Sequence, residues 1–202
     1  PWLGQGNFVQ SAVAPKLRFR VPSEDDPDME IRLKVEINTA EREAFDGPKS
    51  VPFVVENPWF TGNADIPTFS TEELLATKLR ALLQRDKGRD LFDLDHALTI
   101  FPDLDIDRVV ALFGQYLALR EQTISRAQAE QRMLAKFSQP QLLGDMKALL
   151  PHEYADALDA TESRRAFLQV FTRVIERMPG ERWANTCTTA ATLGLTELVK
   201  PG

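Results

Sequence analysis

Cysteine and histidine are scarce in this sequence of 202 residues, which has one cysteine and two histidines. An internal disulfide needs two cysteines, so Cys187 cannot supply a covalent staple and gives no sign of an oxidising compartment. His96 and His152 lie far apart in the sequence, an arrangement that does not favour a zinc site. The composition therefore argues against a disulfide-rich secreted scaffold and against a zinc-centred fold.

Long apolar runs and a net positive charge are also missing. No apolar run approaches the roughly 18 residues that span a bilayer, and residues 1–6 contain no basic or apolar signal segment. We therefore expect a cytoplasmic protein with no membrane span. The formal net charge of −6 argues against nucleic-acid binding over the whole surface, although it leaves room for a local basic groove.

The first third of the sequence has the two-residue period of β structure. Apolar residues alternate with bases in residues 16–21, and alternation returns in residues 31–38 after an acidic, proline-bounded loop. The two segments are predicted to pair as an antiparallel hairpin. In the second segment one face is predicted to hold Ile31, Leu33, Val35 and Ile37, and the other Arg32, Lys34 and Glu36. Further strands are predicted at 51–55 and, interrupted by Pro67, within 64–69.

From Ser70 onward the period changes to that of helices. Ser70 is predicted to cap the first helix, with Glu73 reaching back to it, and Gly88 to end it. Its predicted apolar stripe consists of Leu74, Leu75, Leu79, Leu82 and Leu83. A second helix is predicted to open at Asp90, with Leu91, Leu94 and Leu98 facing inward. Further helices are predicted at 106–120, 125–137, 140–150 and 162–178, the second of them opened by Ser125 with Gln128 at capping-box spacing. The tail from Asn185 is only weakly helical in pattern.

Strands followed by a run of helices predict an α+β fold. We expect the sheet-containing unit to occupy residues 1–89 and a C-terminal helical bundle to occupy residues 90–202.

The turn between the first two predicted helices has a dense charge pattern. Five bases against one acid lie between Lys78 and Arg89, a local charge of plus four, and Asp90 and Asp93 follow at helical spacing. Bases can neutralise a triphosphate while carboxylates hold a divalent metal or orient an attacking hydroxyl. Each part also has a structural explanation: Arg32, Lys34 and Glu36 as a solvated sheet face, Lys78 and Arg85 as the wet side of a helix, and Asp90 as an N-cap.

The segment 72–94, with its Glu-Leu-Leu-Ala-Thr-Lys78-Leu-Arg-Ala-Leu core and Arg89-Asp90-Leu-Phe-Asp93 ending, resembles the AbiEii/AbiGii nucleotidyltransferases. The upstream Leu33-Lys34-Val35-Glu36-Ile37 strand is similar to the Lys-x-Glu strand of that family. This resemblance implies a partial polymerase-β-like nucleotidyltransferase core that binds an NTP with Mg²⁺ and transfers a nucleotide to an acceptor, in some relatives tRNA. It also implies a type IV toxin, linked to phage abortive infection and neutralised by a cognate antitoxin.

Carried over residue by residue, the resemblance assigns roles to both motifs. Glu36 would be the third carboxylate near the metals, and Lys34 its phosphate-facing neighbour. Lys78 would contact the triphosphate, and Arg85 and Arg89 would line the pocket. Asp90 and Asp93 would orient these bases or the incoming nucleophile. The whole assignment requires Glu36 and Lys78 to face a common cleft.

The family's opening pattern is not found before Lys34. That pattern is a Gly-Ser or Gly-Thr turn followed by Asp-x-Asp on a strand, and two-metal chemistry needs its paired carboxylates. Asp26-Pro27-Asp28 has the spacing, but it lies in a proline-broken loop and we reject it. We expect the sequence to be an N-terminally truncated fragment, inactive as such, and the alternative is a degenerate member that binds without catalysis.

Two other functions stay open on the sequence. One is a non-catalytic module that holds nucleotide or RNA through residues 78–89. The other is a docking surface for a protein partner on the helices from Ile106. An RNA backbone is one conceivable ligand for a row of arginines on and after the last long helix, but interspersed glutamates favour a solvated face. These arginines are Arg164, Arg165, Arg173, Arg177 and Arg182.

Overall fold

The computed structural model describes residues 4–11, 14–39, 43–85, 87–139, 147 and 159–199. The chain forms two compact units, Pro1–Ala44 and Phe45–Gly202. The first contains strands and the second contains a hairpin followed by helices, which confirms the mixed α+β class. In the described part of the chain no helix combines the length and apolarity needed to cross a bilayer.

The first unit is a three-stranded antiparallel sheet. Its strands are β1 (Asn7–Val9), β2 (Lys16–Pro22) and β3 (Glu30–Glu36), with β2 in the centre. The predicted hairpin is confirmed, with Leu17 opposite Val35 and Phe19 opposite Leu33. The apolar face is less buried than a half-buried strand implies, because Leu33 is 42% exposed and Ile31 49% exposed.

The second unit opens with a two-stranded hairpin, β4 (Lys49–Asn57) and β5 (Phe60–Thr68). The Asn57 side chain closes the turn by accepting hydrogen bonds from the backbone N–H groups of Trp59 (3.0 Å) and Phe60 (2.9 Å). The predicted interruption at Pro67 is wrong, since β5 continues through it. A proline is tolerated where its missing N–H would point away from the partner strand, as an edge strand allows.

Four helices follow the hairpin: α1 (Thr71–Gln84), α2 (Arg89–Ile100), α3 (Ile106–Ala118) and α4 (Arg126–Phe137). Ser70 caps α1 by accepting from the Glu73 N–H, and Ser125 with Gln128 forms the predicted capping box of α4. Helix α1 ends at Gln84 rather than at Gly88, because Arg85 is already extended and Gly88 serves as the N-cap of α2.

Two more helices and two short 3₁₀ segments complete the described chain. Helix α5 (Ala160–Arg173) is followed by the 3₁₀ turn Ile175–Arg177, so the single predicted helix 162–178 is divided at Val174. The tail is more helical than predicted, with α6 (Thr186–Thr192) and a 3₁₀ turn at Thr196–Leu198. The predicted helix 140–150 lies outside the described residues, apart from Lys147.

The helices enclose one apolar core. Helix α1 packs on α2 and α3, and α5 packs on α2. The inward residues predicted for α2, Leu91, Leu94 and Leu98, are buried, and so are four of the five predicted for α1. Leu74 is the exception at 40% exposed. The largest fully buried side chains are Tyr116, Phe113, Phe167, Phe171, Leu79 and Leu82.

Candidate nucleotide site

Glu36 closes strand β3 on the charged face of the sheet. Lys16 lies directly opposite it on β2, and Lys34 lies two residues earlier on β3, so both project to the same face. The Lys34 Nζ is 2.7 Å from one Glu36 oxygen and the Lys16 Nζ is 3.1 Å from the other. The bond from Lys34, together with that from Lys16, holds the pKa of the Glu36 carboxyl below its ordinary value. Glu36 is therefore an ionised acceptor held between two cations.

The rejected Asp26-Pro27-Asp28 segment lies in the turn between β2 and β3. The Asp26 side chain accepts a hydrogen bond from the Asp28 N–H at 3.1 Å, and its carbonyl accepts one from Met29 at 2.9 Å. These are bonds of a local turn.

Two ion pairs join α1 to α2. The Lys78 Nζ lies 2.6 Å from Asp93 Oδ2, with both side chains partly exposed. Arg85 donates two hydrogen bonds to Asp90, from Nε at 2.8 Å and from Nη2 at 2.7 Å. The bonds that Arg85 donates to Asp90, whose side chain is fully buried, raise the pKa of Arg85. Asp90 and Asp93 thus fix the position of Arg85 and Lys78, two of the three bases of this segment that the sequence places in a nucleotide pocket.

The structural alternative for Asp90 is wrong in its detail. Gly88 occupies the N-cap position of α2, and the Asp90 side chain faces Arg85 from within the first turn. Arg89 is exposed and makes no side-chain bond within the described ranges. Arg80 lies over the Tyr116 ring, with its guanidinium carbon 5.5 Å from the ring centroid. Of the five bases in residues 78–89, Lys78 and Arg85 are therefore held by acids, Arg80 lies against an aromatic ring, and Lys87 and Arg89 are exposed.

A buried acid network at the start of α1 was not found by sequence reasoning. Glu73 is fully buried and accepts from the Phe45 N–H (2.7 Å), the Asp46 N–H (3.2 Å) and the Tyr116 hydroxyl (2.7 Å). Predicted to reach back to Ser70, it instead holds the segment before β4. Local spacing gives no signal for this contact, because its partners are 28 and 43 residues away.

Asp46, in the same network, accepts from Arg108 and from the Ser70 hydroxyl, the latter at 2.7 Å. The bonds from Arg108, together with that from Ser70, hold the pKa of the Asp46 carboxyl below its ordinary value. These residues join the start of α1 to α3 and have a structural role.

The arginines of the C-terminal helices are occupied by partners within the unit. Arg164 pairs with Glu197, Arg177 with Asp107, and Arg165 with both Asp95 and Glu162. Arg173 and Arg182 donate to backbone carbonyls of Leu98 and Leu198. The structure thus favours a structural role for these residues over an RNA-tracking one.

Glu36 is the residue to which a Mg²⁺ role was assigned. No group of three His, Cys, Asp or Glu able to hold a metal occurs among the described residues, so a two-metal site does not fit them. A single carboxylate such as Glu36 fits the more limited arrangement in which Mg²⁺ is held by one or two carboxylates and by substrate phosphates.

The candidate residues fall in both compact units. Lys34 and Glu36 belong to the first, whereas Lys78, Arg85, Arg89, Asp90 and Asp93 belong to the second. The common cleft between Glu36 and Lys78 therefore stays a prediction.

Comparison with known proteins gives one match. The family model described as nucleotidyl transferase AbiEii toxin, type IV TA system, matches residues 4–173. It covers both the Lys34-x-Glu36 strand and the α1–α2 segment, so the family predicted from those motifs is confirmed. Neither the search of curated proteins nor the search of solved structures gave a match.

Proposed function

Because the chain belongs to the AbiEii family of nucleotidyl transferase toxins of type IV toxin–antitoxin systems, we propose that it transfers a nucleotide from an NTP to an RNA acceptor such as tRNA. In this proposal the reaction depends on Mg²⁺ and inhibits growth, and a cognate antitoxin neutralises it. The observation that carries the proposal is the family match over residues 4–173 together with the two charged motifs inside it.

Glu36 is proposed to act as a fixed negative charge beside the reacting groups. A general base works best when its pKa lies near the operating pH, and the Lys34 and Lys16 bonds move the pKa of Glu36 in the opposite direction. Its ionised oxygens are better suited to orient the acceptor hydroxyl by accepting its hydrogen bond, or to ligate the metal. When bound, Mg²⁺ would neutralise charge on the phosphates of the NTP.

Lys78, Arg85 and Arg89 are proposed to bind the triphosphate. Arg85 is suited to this because Asp90 fixes its guanidinium while nearly half of the side chain stays exposed. A cation that is already oriented loses less conformational freedom when it binds an anion. Lys78 is similarly held by Asp93, which the triphosphate would displace or share.

The proposal predicts that Lys78→Ala in the full-length protein weakens NTP binding by tenfold or more and abolishes toxicity. Calorimetry with each of the four NTPs in the presence of Mg²⁺ would measure the affinity, and induced expression would measure growth inhibition. Lys49→Ala is the matched control, since Lys49 is an exposed lysine on β4 outside the assigned pocket. The Lys78–Asp93 pair is partly exposed, so the melting temperature should change little. Unchanged NTP affinity in Lys78→Ala would remove Lys78 from the pocket.

A second candidate is a non-catalytic module that binds nucleotide or RNA. It is favoured by one observation: Glu36 is the one carboxylate assigned to the metals, and no cluster of three or more His, Cys, Asp or Glu that could hold a metal occurs in the described ranges. This module would bind an NTP with the same dependence on Lys78 but would transfer no nucleotide.

A further inference from the structure

We propose that the charged face of the β1–β3 sheet binds the phosphate backbone of single-stranded RNA, chiefly through Arg18, Arg20 and Arg32. The inference rests on the proposed function in taking this RNA to be the acceptor strand.

The strand register places like charges directly opposite each other. Arg18 on β2 faces Lys34 on β3, and Arg20 faces Arg32. Directly opposite side chains in an antiparallel pair have Cβ atoms about 5 Å apart, and like charges at that distance destabilise the sheet. Two successive pairs of this kind lower the stability of the free protein, and a bound polyanion would remove the repulsion.

The acids of this sheet compensate only part of the charge. Glu36 forms ion pairs with Lys16 and Lys34, and Glu30 Oε2 lies 3.5 Å from Arg20 Nη1. Arg18 and Arg32 are exposed, and within the described residues their side chains have neither an ion pair nor a hydrogen bond. Each therefore presents a full guanidinium to an incoming anion.

The spacing of the bases indicates an extended ligand. Residues two apart on a strand are separated by about 6.8 Å, and neighbouring strands by about 4.8 Å. Lys16, Arg18 and Arg20 thus form one row along β2, and Arg32 and Lys34 form a second row beside it. A lone triphosphate is too compact to contact the whole length of these rows, whereas successive phosphates of a polynucleotide can follow them.

The residues of this face indicate that the RNA is contacted at its phosphates rather than at its nucleobases. The aromatic residues of the sheet, Phe8 and Phe19, alternate with the charged positions and so project to the opposite face. Without an aromatic platform for base stacking, binding should depend on salt and be insensitive to sequence.

The test compares two double variants of the full-length protein. Arg18→Gln/Arg32→Gln removes the two uncompensated guanidinium groups of the sheet. The control Arg164→Gln/Arg177→Gln removes two arginines that are paired with Glu197 and Asp107, for the same change in net charge. Binding of fluorescent oligouridylate and oligoadenylate of about 12 nucleotides is measured by anisotropy over a range of salt concentrations.

The sheet variant should bind both oligonucleotides roughly tenfold more weakly than the wild type at 0.1 M salt. The slope of log affinity against log salt should fall by about 1.4, since each phosphate contact in a single strand contributes about 0.7. The control should bind like the wild type. Equal affinity and slope in the sheet variant and the wild type, or an equal loss in both variants, would overturn the proposal.

NTP affinity is measured on the same proteins, because it separates this inference from the proposed function. The sheet variant should retain wild-type NTP affinity, since Arg18 and Arg32 are not assigned to the triphosphate. RNA binding that depends on the sheet in a protein without nucleotidyl transfer would contradict the proposed function and leave the RNA-binding face supported. Nucleotidyl transfer by a protein whose RNA binding is unchanged by the sheet substitutions would support the proposed function and contradict the RNA-binding face.

Discussion

The basic residues of the helices and those of the β1–β3 sheet differ in whether they have acidic partners. In the helices, Arg164, Arg165 and Arg177 each lie beside a carboxylate of the same unit. In the sheet, Arg18 and Arg32 have no acidic partner within the described residues, although each stands opposite another base. Composition alone would not separate the two groups, because both consist of arginines spaced along a regular element. The register of the strands is what distinguishes them.

The apolar residues show the same contrast. Phe167 and Phe171 of α5 are fully buried, whereas Leu33 and Val35 of β3 are 42% and 44% exposed. Burial of apolar area supplies most of the favourable free energy of folding, so the helices are stabilised by the apolar core that they enclose. Arg164, Arg165 and Arg177 therefore belong to the packing of the helices, whereas Arg18 and Arg32 are the cations to which RNA binding is proposed.

The largest effect that this comparison predicts is on the buried acid of α1. Glu73→Ala should lower the free energy of unfolding by about 3 kcal/mol, because it leaves two backbone N–H groups and the Tyr116 hydroxyl without their acceptor. Chemical denaturation would measure it. Glu72→Ala, one residue away and only partly buried, is the control and should cost about 0.5 kcal/mol or less. Similar losses in the two variants would show that the Glu73 network does not stabilise the helical unit.

A smaller effect separates the two carboxylates of α2. Asp90→Asn should lower the free energy of unfolding by about 2 kcal/mol, because the Asp90 side chain is fully buried against Arg85. Asp93→Asn should lower it by less than about 1 kcal/mol, because the Lys78–Asp93 pair is partly exposed. Thermal and chemical denaturation would give both values. If Asp93 proved the more important for stability, the assignment of Lys78 to ligand rather than to structure would lose its basis.

Much of the fold could be predicted from local patterns. The β2–β3 hairpin and the buried face of α2 follow from periods of two and 3.6 residues, and the Ser125 capping box follows from the spacing of Ser125 and Gln128. All three depend on neighbouring residues alone. The predictions that were wrong concern side chains whose positions depend on residues distant in the sequence. Leu74 fits the apolar stripe of α1 but is 40% exposed. Glu73 fits a capping box, but its side chain accepts hydrogen bonds from Phe45, which precedes β4, and from Tyr116 of α3.

The candidate site could be predicted only in part. Sequence order gives Lys34 and Glu36 on one strand face and Asp90 and Asp93 on one helix, and the structure adds which base each acid holds. The sequence does not show that Arg18 and Arg32 lack an acidic partner within the described residues, because this depends on which residues face each other across two strands. The Lys-x-Glu motif alone gives no register.

We propose that Glu36 takes part in nucleotidyl transfer. Its most direct test is transfer of label from α-³²P-labelled NTPs to total RNA by the full-length protein in Mg²⁺, compared with Glu36→Gln, with melting temperatures for both. We predict labelled RNA from the wild type, a large loss of label in Glu36→Gln and nearly equal melting temperatures, since Glu36 is on an exposed face. Equal labelling by the two proteins, or no labelling by the wild type with any NTP, would contradict the claim.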